Sequence, residues 1–198
     1  MIAFLRNDPK SLVPAARAMY EVGKTTSEVL RAIYGVDLPQ EAYAIRRAYV
    51  DGDHTIHMTF TTNPWELMIP LEEGGPAFEI GPLSSEDEAR AYARAPHVLP
   101  VGFIHYFRIE NGFVQLGYDL EALAAGKSTV VGIVTDQSRF PDDQDFNVIG
   151  DSLLDVFGDF MRRYLASWGT FESPDAYERR ADIRRQIAEL DSVRSRIK

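Results

Sequence analysis

The sequence predicts an α+β protein with a mainly antiparallel, mixed sheet flanked by helices. It also predicts an N-terminal helix and a C-terminal helical extension. Two observations support this class. Apolar residues recur at helical spacing in the first 50 residues and again after residue 150, whereas the middle of the chain alternates apolar and polar residues or forms short apolar runs. The predicted strands cluster centrally and are joined by hairpin-like turns, which favours antiparallel pairing.

Length and composition set the domain organisation that we expect. The chain has 198 residues, and its content of 45% hydrophobic and 26% charged residues is that of a folded protein. We predict an N-terminal helix at 1–24, an α+β domain at 25–168 and a C-terminal helical extension at 169–198.

The absence of cysteine removes several kinds of chemistry. With no cysteine in the chain, there are no disulfides, no thiolate nucleophiles and no Cys-based zinc sites. The first residues meet a charge at Arg6 and form no secretory signal, and no apolar run reaches the ~20 residues that cross a bilayer. We therefore expect a cytoplasmic protein with no membrane partner.

Three helices are predicted in the first part of the chain. The first covers residues 9–22 and stops at Gly23. The second follows Thr25, which forms a capping box with Glu28. The third opens at Pro39 and ends at a turn at 51–52.

The apolar period then changes from 3.6 to 2. Short strands are predicted at 54–60, 65–69 and 77–80, and a capped helix at 84–95. Segments 103–109 and 113–116 flank Asn111-Gly112, which is a strong hairpin signal. Residues 129–134 are apolar throughout, as expected of a strand that is covered on both faces. Two further helices are predicted, at 151–168 and after Ser173-Pro174.

Nucleotide and metal motifs are incomplete. Two Gly-Lys-Ser/Thr strings occur, but a phosphate loop needs a glycine five positions earlier, where this chain has Ala18 and Glu121. His54 and His57 are three residues apart on a predicted strand and should face opposite ways. The acidic run at 142–145 lacks the glycine and the final glutamate of a calcium loop. We predict no cofactor and no metal.

Ser152 has two interpretations. The string Gly-Asp-Ser-Leu at 150–153 matches the nucleophile block of a serine esterase family, which makes a hydrolase using Ser152 an alternative function. No histidine follows Ser152 in the chain to serve as its base. The simpler interpretation is that Asp151 or Ser152 caps the helix that follows.

Negative charge is concentrated in the middle of the chain. The net charge is −9, and residues 119–159 contain nine acidic residues against Lys127 and Arg139, a net −7. Such a segment repels phosphate, which argues against direct nucleic-acid binding through it. The residues could form a solvated acidic surface or a recognition surface for a basic partner.

Several motifs together resemble the SUKH superfamily, which includes yeast cell-wall assembly regulators and many bacterial toxin-immunity proteins. A Leu-Pro pair at 38–39 opens a helix, and Leu-Pro-Val-Gly-Phe at 99–103 leads into a hairpin that ends with Gly-Tyr-Asp-Leu at 117–120. An apolar strand at 130–134, a loop and a Ser-led, Phe-containing helix at 151–157 follow in order. The likeness covers about residues 25–168.

The resemblance implies a protein that acts by docking onto partners and that has no catalytic residues. Most often such a protein neutralises a cognate toxin, and the acidic excess would suit a basic nuclease. The contact candidates are acidic residues in predicted turns and loops: Glu72, Glu73, Asp136, Asp142, Asp143 and Asp145. A further alternative is an intracellular scaffold that uses the Arg-rich final helix to dimerise or to hold an acidic partner.

Overall fold

The computed structural model describes residues 9–50, 59–60, 64–77, 95–106, 112–136, 146–169 and 172–197. Its helices are α1 (Pro9–Glu21), α2 (Thr26–Tyr34), α3 (Gln40–Val50), α4 (Leu120–Ala124), α5 (Leu153–Ser167) and α6 (Pro174–Ile197). Its strands are β1 (Thr59–Phe60), β2 (Val98–Tyr106), β3 (Gly112–Asp119), β4 (Val130–Asp136) and β5 (Asn147–Gly150). Two 3-10 helices cover Glu66–Met68 and Leu71–Glu73. The predicted α+β class is confirmed.

The five strands form one sheet in the order β1-β2-β3-β4-β5, and neighbours from β1 to β4 are antiparallel. Tyr106 pairs with Gly112, so β2 and β3 form the hairpin that the Asn-Gly signal predicts. The residues that connect the two strands, 107–111, lie outside the described residues. Strand β2 begins earlier than predicted, at Val98, and its register shifts between Pro100 and Gly102.

Strand β4 has the burial that its apolar sequence predicts. Its first four residues, 130–133, are all buried, and since successive strand residues point to opposite faces, both faces of the strand are covered along this run. Gly132 belongs to this run: a Cβ there would lie 2.7 Å from Cδ1 of Ile149 on β5 and 3.1 Å from Cγ1 of Val114 on β3. A larger residue at this position would require the side chains of Ile149 and Val114 to shift.

The chain divides into two compact units, Met1–Leu38 with Met58–Ile149, and Pro39–His57 with Gly150–Lys198. The first contains α1, α2, α4 and nearly all of the sheet. The second contains α3, α5 and α6. This grouping differs from the predicted boundaries at 24 and 168. The predicted division into domains remains a prediction.

In the second unit, α3, α5 and α6 pack against one another. Helix α6 buries Ile183, Leu190 and Val193, so the predicted C-terminal extension is a packed part of this unit. Arg194 of α6 forms ion pairs with Asp155 of α5 and with Asp191. The backbone of α5 passes close to this arginine at Gly158, where a Cβ would lie 3.5 Å from Nη2 of Arg194.

The strand predicted at 65–69 is wrong, because a 3-10 helix occupies Glu66–Met68. A strand with one covered face would place the adjacent residues Leu67 and Met68 on opposite sides, but both are buried. Prolines at 64 and 70 bracket the segment and restrict how far a ladder could extend. The predicted strand residues 54–58 and 78–80, and residues 84–94 of the predicted helix, lie outside the described residues.

Candidate functional site

Two of the predicted contact residues lie side by side on a short turn of the first unit. Glu72 and Glu73 are exposed and belong to the 3-10 helix Leu71–Glu73. The backbone N–H groups of residues 73 and 75 donate to the carbonyl of Pro70 at 3.0 Å each. Gly74 and Gly75 follow with φ of 105° and 73°, a region that favours glycine. We call residues 70–75 the acidic turn.

Helix α1 holds the acidic turn through Arg17. Nη1 of Arg17 donates to the carbonyl oxygen of Pro76 at 2.8 Å and to that of Gly74 at 3.4 Å. A Cβ on Gly75 would lie 3.1 Å from the same nitrogen, so glycine also makes room for the guanidinium. The turn therefore presents two carboxylates while its backbone is bound to a cation beneath it.

Residues that precede the turn are tied to both helix and sheet. The hydroxyl of Tyr20 on α1 donates to the carbonyl of Leu67 at 2.8 Å, and Nε1 of Trp65 donates to the carbonyl of Val101 on β2 at 2.6 Å. Both hydrogen bonds are buried, where an unpaired donor would be costly. The segment that leads into the acidic turn is thus hydrogen-bonded to α1 and to β2.

The other predicted contact residues are placed differently. Asp136 is the last residue of β4, so it belongs to a strand end and not to the acidic turn. Asp142, Asp143 and Asp145 lie outside the described residues. The structure thus brings together Glu72 and Glu73 of the six candidates.

The acidic stretch 119–159 does not form a surface of one unit, because it is divided between the two units. Three of its acids have internal roles. The carboxylate of Asp119 caps α4 by accepting from the N–H groups of residues 121 and 122 at 2.8 and 2.9 Å. Asp155 pairs with Arg194, and Asp159 pairs with Arg162 at 3.2 Å.

Ser152 is the N-cap of α5, as the simpler interpretation of its motif predicts. Its hydroxyl accepts from the N–H of Asp155 at 3.3 Å and donates to Oε2 of Glu41 at 2.5 Å. Glu41 lies on α3 and is only 7% exposed. Its carboxylate also accepts from the N–H groups of Leu153 at 2.8 Å and Leu154 at 3.4 Å.

Glu41 is the residue that sequence reasoning missed. Three donors converge on its two oxygens at the N-terminus of α5, where the helix dipole favours negative charge. Within the described part of the chain, the hydrogen-bond partners of the Ser152 hydroxyl are Glu41 and Asp155. This geometry is that of a shared helix cap, with the serine proton directed at a carboxylate that is already fixed by backbone donors.

The remaining sequence motifs fall on helix ends. Lys24 follows α1 and pairs with Glu28 at 2.8 Å, while Lys127 follows α4. Among the described residues, no three His, Asp or Glu side chains are grouped so that they could hold a metal ion. No helix in these same ranges is long and apolar enough to cross a membrane.

Comparison of the chain with models of known protein families, with curated proteins and with solved structures finds no match in any of the three.

Proposed function

We propose that this protein is a protein-binding module of the SUKH type, an immunity protein that neutralises a cognate toxin in the cytoplasm by occluding it. The observation that carries the proposal is the acidic turn, in which Glu72 and Glu73 are exposed on a backbone bound by Arg17. The proposal assigns the protein no catalytic step.

The acidic turn suits recognition because its shape is set before a partner arrives. Binding that orders a mobile loop loses part of the interaction free energy to that ordering, and a turn held by hydrogen bonds avoids the loss. Adjacent exposed carboxylates also attract a basic partner over distances of about a Debye length and raise its association rate. A basic nuclease is a partner with this charge.

The order of elements supports the resemblance to the SUKH superfamily. The hairpin of β2 and β3 follows the helix that opens at Pro39, and β4 and the Ser152-capped helix α5 come next. The Leu-Pro-Val-Gly-Phe motif at 99–103 lies in β2, where the strand register shifts. These elements follow one another along the chain in the order that the family resemblance implies.

The test uses the protein encoded next to this chain's gene as the partner. We expect tight binding by calorimetry and protection of cells that express that neighbour. Glu72→Gln with Glu73→Gln should weaken binding by roughly 2- to 30-fold, since each exposed ion pair contributes about 0.2–1 kcal/mol. The loss should appear mainly in the association rate and should shrink at high salt.

Glu178→Gln is the matched control, because Glu178 is an exposed glutamate on α6 outside the acidic turn. An equal effect of the control would show that only net charge matters. Failure of the wild-type protein both to bind and to protect would contradict the proposal. Hydrolysis of simple esters that disappears in Ser152→Ala, in a protein that still folds, would favour the hydrolase instead.

A further inference from the structure

The charged side chains of α6 separate into two groups. Asp182 pairs with Arg185 at 2.5 Å and approaches Arg179 at 4.0 Å. Asp191 pairs in the same way with Arg162 and Arg194. Both aspartates are therefore already engaged by arginines within the unit.

A further set of α6 residues lies at helical spacing on one exposed side of the helix. It comprises Tyr177, Ala181, Arg184 and Ala188, all exposed, with Arg180 at its edge. We call these five residues the outward face of α6. The positions three and four residues from Arg184 hold Arg180, Ala181, an isoleucine and Ala188, so none is acidic. Like charges four residues apart destabilise a helix slightly, and Arg180 and Arg184 have this spacing.

Arg184 is available to a partner. It is exposed, and it makes no hydrogen bond or ion pair with any residue in the described ranges. Arg185, its neighbour, is also exposed to solvent but is paired with Asp182. The two arginines therefore differ in pairing while sharing helix, charge and exposure.

Arg180 and Tyr177 are already held in place. The guanidinium of Arg180 lies 4.5 Å from the centre of the Tyr177 ring, and its Nη1 donates to the carbonyl of Trp168 at 2.9 Å. The tyrosine is nevertheless 60% exposed. Tyrosine and arginine are enriched at the energetic centres of protein interfaces, and fixing them beforehand reduces the entropy lost on binding.

We propose that the outward face of α6 docks an acidic helix of another protein. Charge complementarity identifies the partner: residues 160–198 contain nine basic and six acidic residues, in a chain whose net charge is −9. Within this face, Arg180 and Arg184 have no acidic residue three or four positions away along the helix. The small side chains of Ala181 and Ala188 allow a second helix to approach along its length. This surface is separate from the acidic turn and does not depend on the toxin proposal.

The test uses a labelled, end-capped helical peptide with glutamates four residues apart in an alanine-rich background. Its fluorescence anisotropy is measured against the full chain at low and at high ionic strength. We expect binding that weakens with salt. Arg184→Gln should weaken it by roughly 1.5- to 5-fold, which corresponds to about 0.2–1 kcal/mol for an exposed pair. Arg184→Glu should weaken it further.

Arg185→Gln is the matched control and should leave peptide affinity within measurement error of the wild type. Arg184 makes no hydrogen bond or ion pair in the described ranges and lies four residues from Arg180, so its variants should unfold at, or slightly above, the wild-type urea concentration, which separates loss of binding from loss of folding. Equal effects of the two substitutions, or no peptide binding at all, would overturn the proposal. So would tighter, Arg184-dependent binding of a single-stranded RNA, or a dimer in solution that Arg184→Glu dissociates.

Discussion

Replacing the buried carboxylate of Glu41 should loosen the start of α5 without touching any exposed residue. Glu41→Gln keeps the size of the side chain and one carbonyl oxygen, so the 2.8 Å bond from the N–H of Leu153 can persist. The other oxygen, which accepts from Ser152 and Leu154, becomes an amide NH₂ group. A donor would then face the N–H of Leu154, and the charge that the helix N-terminus favours would be lost.

The magnitude follows from the groups left without a partner. A buried, unsatisfied N–H costs about 1–3 kcal/mol, and the lost interaction with the helix dipole adds about 0.3–1 kcal/mol. Because the 3.4 Å bond from Leu154 is long, we expect Glu41→Gln to lower the free energy of unfolding by about 1–2 kcal/mol. Glu41→Ala also leaves the N–H of Leu153 without its acceptor, and we expect it to lower the free energy of unfolding by about 2–4 kcal/mol. Ser152→Ala should cost about 1 kcal/mol as the loss of an N-cap.

Urea unfolding followed by circular dichroism measures these differences, and amide hydrogen exchange locates them. The N–H groups of Leu153 and Leu154 should exchange faster in both Glu41 variants, while amides of the sheet should not. Glu178→Gln is the control for removing one negative charge from an exposed position, and it should stay within about 0.5 kcal/mol of the wild type. If the free energy of unfolding of Glu41→Gln also stayed within about 0.5 kcal/mol of the wild type, and both amides remained protected from exchange, the shared cap would contribute nothing to the stability of α5.

Two further predictions concern the first unit. Hydrogen bonds from Lys24 and Thr25 lower the pKa of Glu28 from 4.5 to about 2. This contribution to the stability of α2 should be present above about pH 4.5 and disappear as the pH falls towards 2. An NMR titration of the Glu28 carboxyl should show the low midpoint, and Thr25→Ala should raise it. Gly75→Ala should destabilise the protein by about 1–3 kcal/mol in urea, more than Gly74→Ala, because only Gly75 has atoms of Arg17 within 4 Å of the added carbon. Equal costs for the two glycines would show that Arg17 moves aside freely.

The parts of the fold that could be predicted from the sequence depend on interactions within a few residues. The capping box of Thr25 and Glu28 forms as predicted, with the Glu28 carboxylate accepting from the N–H of Thr25 at 2.8 Å. Ser152 and Ser173 both cap the helices that follow them. In each case, donor and acceptor are separated by three residues, so the local chain conformation brings them together and the sequence pattern is sufficient.

The features that could not be predicted join distant segments. Glu41 and Ser152 are 111 residues apart, and Arg17 and Pro76 are 59 apart. A glutamate in the first turn of a helix is normally solvated, and nothing in the residues beside Glu41 indicates that another helix begins against it. The predicted strand at 65–69 failed for a similar reason, since the burial of both Leu67 and Met68 depends on what covers them in the folded unit.

Charge counting met the same limit at the candidate site. Sequence alone gives the 119–159 stretch a net −7, yet a carboxylate that caps a helix and one that awaits a partner contribute equally to that number. Asp119 is fixed by two backbone N–H groups and Asp155 by a guanidinium, so replacing either would disturb the fold before it tested recognition. At the acidic turn, Arg17 donates to the backbone carbonyls of Gly74 and Pro76, so these hydrogen bonds do not depend on the charge of Glu72 or Glu73. Neutralising Glu72 and Glu73 leaves these hydrogen bonds of Arg17 in place, whereas neutralising Asp119 or Asp155 would remove a helix cap or an ion pair within the fold.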